Sequence, residues 1–165
     1  MSKKVKDYIE NVLAQKRPEF GGKAVCPFAK PELEMQKLMI GTVGQKNLDQ
    51  LIDEFRDSKY ESALFIIKND VPAEHTNKFQ IFVNRLLKSK GLEDYKNICF
   101  NPNDKVSVDG YNPRSQAPYF MVNIAHRDVL DDAQIALKKT NYYDKLPADY
   151  LKFLSLDYKS KKSKS

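Results

Sequence analysis

The hydrophobic positions change period several times along the chain, and each change marks an element. Val5, Ile9, Val12 and Leu13 recur at helical spacing and stop at Arg17-Pro18, predicting an amphipathic first helix. Between residues 19 and 34, Gly21, Gly22, Pro27 and Pro31 forbid a long regular element. A structured loop carrying Cys26-Pro27-Phe28-Ala29-Lys30 is expected there. Residues 38–43 read as a strand, and Asn47 stands as a cap before Leu48, Leu51, Ile52 and Phe55, which share one helix face. The unbroken apolar run 63–67 predicts a strand central in its sheet.

Asp70-Val71-Pro72 offers a cap and a proline for the next helix, whose buried face is read as Phe79, Phe82, Val83, Leu86 and Leu87, with Gly91 as its stop. Ile98-Cys99-Phe100 is a brief strand. Residues 101–117 lack periodicity and form a long connection of the kind that carries function. Residues 119–124 form the last strand. A helix capped by Asp128 follows, with Val129, Leu130, Ala133, Ala136 and Leu137 inward, and Pro147 opens a final helix.

The expected fold is therefore a single α/β domain with a four-stranded mixed sheet in βαβαββα order, plus extra N- and C-terminal helices. A thioredoxin-like arrangement fits that order, with a ferredoxin-like sandwich as the alternative. Two strand–helix–strand units imply parallel pairing, and the last two strands are expected to pair antiparallel. The domain is read as residues 1–158, and residues 159–165 as a disordered Lys/Ser tail.

Composition supports a folded domain: 165 residues, 41% hydrophobic and 30% charged, are the proportions of a soluble globular protein. No apolar run approaches the roughly 20 residues that cross a bilayer, so a cytoplasmic protein without a membrane partner is expected. Of the formal charge of +6, Lys159, Lys161, Lys162 and Lys164 supply four, leaving the body near +2. Lys and Asp/Glu are read as alternating along every predicted helix, the pattern of solvated faces, and a nucleic-acid partner is not expected. Cys26 and Cys99 are expected to be free thiols, since neither lies in a Cys-x-x-Cys pair.

The candidate chemistry gathers around residues 112–128. Arg114 precedes the last strand and Arg127 follows it; if the loop folds back, two guanidinium groups form a carboxylate or phosphate site, and otherwise each ties down loop backbone. Ser115, Tyr119 and Asn123 add hydrogen-bonding groups. His126, at the strand–helix junction, is a candidate for acid–base chemistry. Cys26, between Lys23 and Lys30, is either a nucleophile or a small apolar side chain filling the loop. The spacing of Cys26, Cys99, His75 and His126 does not make a metal site.

Residues 25–31, Val-Cys-Pro-Phe-Ala-Lys-Pro, together with Arg114-Ser115, Pro118-Tyr119 and Arg127-Asp128, resemble the two hallmark elements of an uncharacterised bacterial family with a Cys-Pro-Phe-Ala signature. The resemblance implies that Cys26, Arg114, Tyr119 and Arg127 are motif positions. It carries no activity with it. The second element departs from the family pattern, because Pro113 and Gln116-Ala117 are inserted and Asn123 stands near the place of an expected histidine. Two functions are consistent with these residues. One is a small enzyme acting on an anionic metabolite, with Arg114 and Arg127 orienting it and Cys26 or His126 supplying chemistry. The other is a non-catalytic domain for a small ligand or cofactor, haem included, with an inert Cys26.

Overall fold

A computed structural model of the chain describes residues 2–154, and their side chains as far as residue 151. The expected disordered tail lies outside the described residues. The first helix, α1 (Lys3–Tyr8), runs on into a wider turn of π-helix (Ile9–Leu13) and buries Val5, Tyr8, Ile9, Val12 and Leu13. The Gly/Pro-rich stretch is more ordered than its composition suggests. A small antiparallel ribbon, β1 (Lys16–Arg17) with β2 (Lys23–Ala24), turns through Gly21 and Gly22, both at positive φ. A six-residue helix, α2 (Ala29–Glu34), follows the Cys-Pro dipeptide.

The main sheet uses β3 (Leu38–Thr42), β4 (Ser62–Ile67), β5 (Tyr95–Phe100) and β6 (Phe120–His126), in the order β3-β4-β6-β5. β3 and β4 are parallel neighbours joined by α3 (Leu48–Arg56). β6 runs antiparallel to both β4 and β5 and separates them. The βαβαββα order and the antiparallel last pair are thus present, while the second strand–helix–strand unit is split by β6. This corrects the finer arrangements. A thioredoxin-like sheet keeps its first strand internal, whereas β3 is at an edge; a ferredoxin-like sheet has only antiparallel neighbours, whereas β3 and β4 are parallel.

Alternation along the strands builds two cores. On one face Ala63, Phe65, Cys99, Val122 and Ile124 meet Leu51, Ile52 and Phe55 of α3 and Val83 and Leu87 of α4 (Thr76–Ser89). On the other, Leu64, Ile66 and Met121 meet Val5, Tyr8, Ile9, Phe20 and Tyr142. The expected cap of α3 is present as a reciprocal pair: the Asn47 side chain accepts from the Gln50 N–H, and the Gln50 side chain accepts from the Asn47 N–H.

Two expectations for α4 are corrected. Asp70 does not cap it; its carboxylate accepts from Asn103 Nδ2 at 2.8 Å, and the chain enters the helix through a 3-10 turn (Ala73–His75). Phe82 is not on the buried face, where Thr76, Gln80, Val83 and Leu87 lie instead. Gln80 occupies that face because β5 is an edge strand whose outward backbone groups need partners. Gln80 Oε1 accepts from the Cys99 N–H at 2.8 Å, and Asn84 Oδ1 from the Asn97 N–H at 3.2 Å.

The connection 101–117 is also built. Asp109 and Gly110, both at positive φ, form a two-residue turn closed by reciprocal bonds between Val108 and Tyr111. After β6, α5 (Arg127–Lys138) keeps Val129 and Ala136 exposed and turns Leu130, Gln134 and Leu137 toward the sheet, and α6 (Ala148–Leu154) follows Pro147 as expected.

Candidate functional site

On the side of the sheet away from α3 and α4, the helices do not close completely. They leave a cleft of about 130 Å³. Its floor is Leu64, Ser62, Asn123, Ala125, Ile98 and Phe100 from the sheet; one wall is Ile9, Leu13 and residues 25–29; the opposite wall is α5 together with Tyr142, Tyr143 and Tyr150. Leu64 and Asn123 face each other in register, so an amide stands in the middle of a floor whose other polar side chain is Ser62. That amide is held still, because Asn123 Nδ2 donates to the Ala63 carbonyl at 3.0 Å.

Of the seven residues singled out from the sequence, Cys26, Arg114, Asn123 and His126 line this cleft. Ser115, Tyr119 and Arg127 do not. Ser115 is exposed and its hydroxyl donates to the Asn112 carbonyl at 2.9 Å, part of a loop cap in which Asn112 Oδ1 also accepts from the Arg114 and Ser115 N–H groups. Tyr119 packs on the core and lies under Lys68 Nζ, 5.6 Å from the ring centroid. Arg127 Nε donates to the Glu93 carbonyl at 2.9 Å while its N–H donates to the Asp94 carbonyl at 2.7 Å. It fastens the end of β6 to the loop before β5.

Arg114 is the largest fully buried side chain among the described residues. Burial of a guanidinium requires compensation. Nη1 donates to the Cys99 carbonyl at 2.7 Å, Nε lies 3.6 Å from Asp104 Oδ2, and the group faces the rings of Phe100 and Tyr150 at 5.6 and 5.3 Å. Asp104 is fixed in turn by the Val106 N–H at 3.0 Å. Arg114 thus ties the long connection to β5 and presents a charge already opposed by a carboxylate. Glu32 and Glu61 also line the cleft. With Arg127 outside, the two-arginine clamp for an anion is not formed.

The thiol of Cys26 belongs to the apolar wall. Burial pushes its pKa above the ordinary value, outweighing the Phe28 and Ala29 N–H groups and the more distant Arg114 charge, all of which favour thiolate. Cys99 is completely buried, and burial raises its pKa as well; its Sγ donates to Asn97 Oδ1 at 3.3 Å. Burial in both environments disfavours thiolate.

His126 caps α5 in place of the expected Asp128: its Nδ1 accepts from the Asp128 N–H at 3.2 Å. With Nδ1 accepting, the neutral ring carries its proton on Nε2. The ring is held edge-on to Tyr95, centroids 5.1 Å apart. His126 therefore offers a fixed N–H donor.

The tyrosines of the cleft wall were not singled out from the sequence, where no periodic spacing connects Tyr142 and Tyr143 to the other site residues. The Tyr142 hydroxyl donates to the Val25 carbonyl and the Tyr8 hydroxyl to the Pro113 carbonyl, so the cleft wall is stitched from both chain ends. The pair Tyr142-Tyr143, with Tyr150 eight residues on, was the available signal: rings with one polar tip suit cavities with few polar groups. Among the described residues no cluster of three or more His, Cys, Asp or Glu side chains is placed to hold a metal ion. No family model, curated protein or solved structure matches the chain.

Proposed function

We propose that the chain is a binding domain for a small, largely apolar molecule with a single hydrogen-bonding end. The observation that carries this reading is the cleft: apolar over most of its lining, with fixed polar groups at Asn123, His126 and Arg114 and with Ser62, Gln134, Glu32 and Glu61 as further polar side chains. Pockets that select a ligand by shape and orient it with a few polar contacts have this composition. A volume of about 130 Å³ is close to the roughly 150 Å³ cavity that admits benzene, so a ring or a short branched chain is the size expected. Haem fits poorly with this site. Ligation through Cys26 needs thiolate, which the surroundings disfavour.

The test is calorimetric titration with phenol and with benzoate, alongside native mass spectrometry of the freshly purified chain. Ala125 lies on the floor, and Ala125→Phe fills the cleft without adding a polar group. A retained molecule, or binding of phenol that Ala125→Phe abolishes while the fold survives, supports the reading. No retained molecule and no heat from either probe, or unchanged binding by Ala125→Phe, defeats it.

One observation favours catalysis instead. The Phe28 and Ala29 N–H groups face the Cys26 sulfur, as they would to hold a thiolate. Alkylation separates the readings: modification of Cys26 by iodoacetamide at neutral pH, faster than a free thiol, would reinstate the enzyme.

A further inference from the structure

The outer face of α4 departs from the charge alternation expected of every helix. Over its fourteen residues α4 carries Lys78, Arg85 and Lys88 and no acidic residue. At 100° per residue these three share an arc with Ile81 and Phe82, directed away from the buried Gln80, Val83 and Leu87. Phe82 is 54% exposed and Ile81 39%, two of the six large hydrophobic side chains left open to solvent among the described residues. The Phe82 ring leans on Phe79, centroids 6.1 Å apart, which in turn packs against Phe120 of the core at 5.1 Å. The exposed ring is thus propped outward from within.

The cations of this face are also unpartnered. Among the described residues Lys78, Arg85 and Lys88 enter no ion pair, whereas the neighbouring Lys90 lies 2.7 Å from both Asp49 and Asp53 of α3. Glu74, one turn before Lys78, is the acid nearest in sequence. A surface that pairs its cations elsewhere and leaves three of them open beside exposed Ile and Phe is suited to a large, flat, anionic and apolar partner.

We infer that α4 is a docking surface for an anionic lipid bilayer, lying parallel to the membrane plane with Phe82 and Ile81 in the headgroup–acyl boundary and Lys78, Arg85 and Lys88 against acidic headgroups. The face is convex and carries two apolar side chains. A bilayer accommodates both features, while a phosphate backbone gives Ile81 no partner and a peptide ligand would require a groove. The expectation of no membrane partner rested on spanning segments. No described helix is long and apolar enough to cross a membrane, and adsorption of α4 requires none.

The test is co-sedimentation of the full chain with phosphatidylcholine vesicles, with and without phosphatidylglycerol. Binding is expected only when phosphatidylglycerol is present, and it weakens as salt rises. Each cation removed from α4 weakens it about fivefold, so K78Q/R85Q/K88Q loses about a hundredfold. Phe82→Ser with Ile81→Ser weakens it with the charges intact. All five side chains are solvent-exposed, so the variants retain the melting behaviour of the parent. The inference is overturned by no binding to acidic vesicles, or by binding that the triple variant leaves unchanged, which would transfer it to the lysine-rich C-terminus. It is equally overturned if the same substitutions abolish binding to a single-stranded RNA or an acidic peptide while vesicles are ignored.

Discussion

Arg114 shows how one side chain sets the shape of a site without being its reactive group. Its guanidinium holds the long connection against β5 through Cys99, stands against Asp104, and closes the floor of the cleft beside Tyr150. Replacing it with methionine removes the charge, keeps most of the volume, and leaves Asp104 and the Cys99 carbonyl without their partner. Arg114→Met is expected to destabilise the fold by about 3 kcal/mol, because removing one member of a buried pair strands the other. Adding Asp104→Asn should recover part of that loss. Urea unfolding of the single and double variants measures both, and an additive result would mean that the two groups act separately. The sequence marked Arg114 and left two roles open, an anion clamp or a tie for loop backbone, and the structure shows the tie. A guanidinium in a loop looks the same whether it awaits a ligand or already has a carboxylate, and Asp104, ten residues earlier, carried no periodic signal to connect them.

At the scale of elements, the pairing of α4 with β5 is the feature that periodicity misread. Phe79, Phe82, Val83, Leu86 and Leu87 make a consistent apolar face, but the backbone N–H groups of the edge strand outweigh it and rotate Gln80 and Asn84 inward. Gln80→Leu is expected to cost about 1–3 kcal/mol by leaving the Cys99 N–H buried and unbonded, in spite of a larger apolar side chain at that position. Hydrogen exchange at the Cys99 amide should quicken in step, and unchanged exchange would sever the link between Gln80 and the strand. Elsewhere local rules were enough. Asn47 capped α3, Gly91 ended α4 at a φ of 76°, and residues 63–67 proved to be an internal strand. The Asp109-Gly110 turn was equally legible, since both positions adopt the positive φ that this dipeptide favours, yet it went unread inside a stretch treated as loop. The cleft was not legible. It arises where the N-terminal helix, α5 and the C-terminal tyrosines converge, a long-range packing outcome with no local spacing.

At the scale of the molecule, the buried ionisable groups fix the pH range of stability. Burial raises the pKa of Cys26, Cys99, Tyr8, Tyr142 and Tyr150. A group whose folded pKa lies above its unfolded one keeps its proton when the unfolded chain has lost it, so the folded state binds more protons and stability falls as pH rises. The contribution is complete below the unfolded thiol value of about 8.5 and is lost first through the cysteines, then steeply above about 10 as the tyrosines join. Melting temperature measured against pH should be flat from neutrality to about 8 and decline beyond. Alanine at both cysteines should delay the onset and leave the tyrosine phase in place. A melting temperature that holds above pH 11 would show that these hydroxyls are not buried in solution.

The two edges of the main sheet have opposite fates. β5 is sealed by Gln80, Asn84 and Arg114, whereas β3 pairs on one side only, and since Val43 bonds toward β4, the alternate groups of Leu38, Ile40 and Thr42 point outward. Any strand that joins this sheet through its backbone must therefore enter at β3. If the newcomer is a second copy presenting its own β3, the joined sheet ends in two sealed strands and has no growing end. Backbone-mediated polymerisation of the folded chain terminates at the dimer, and runaway fibre growth requires α4 to leave β5 first.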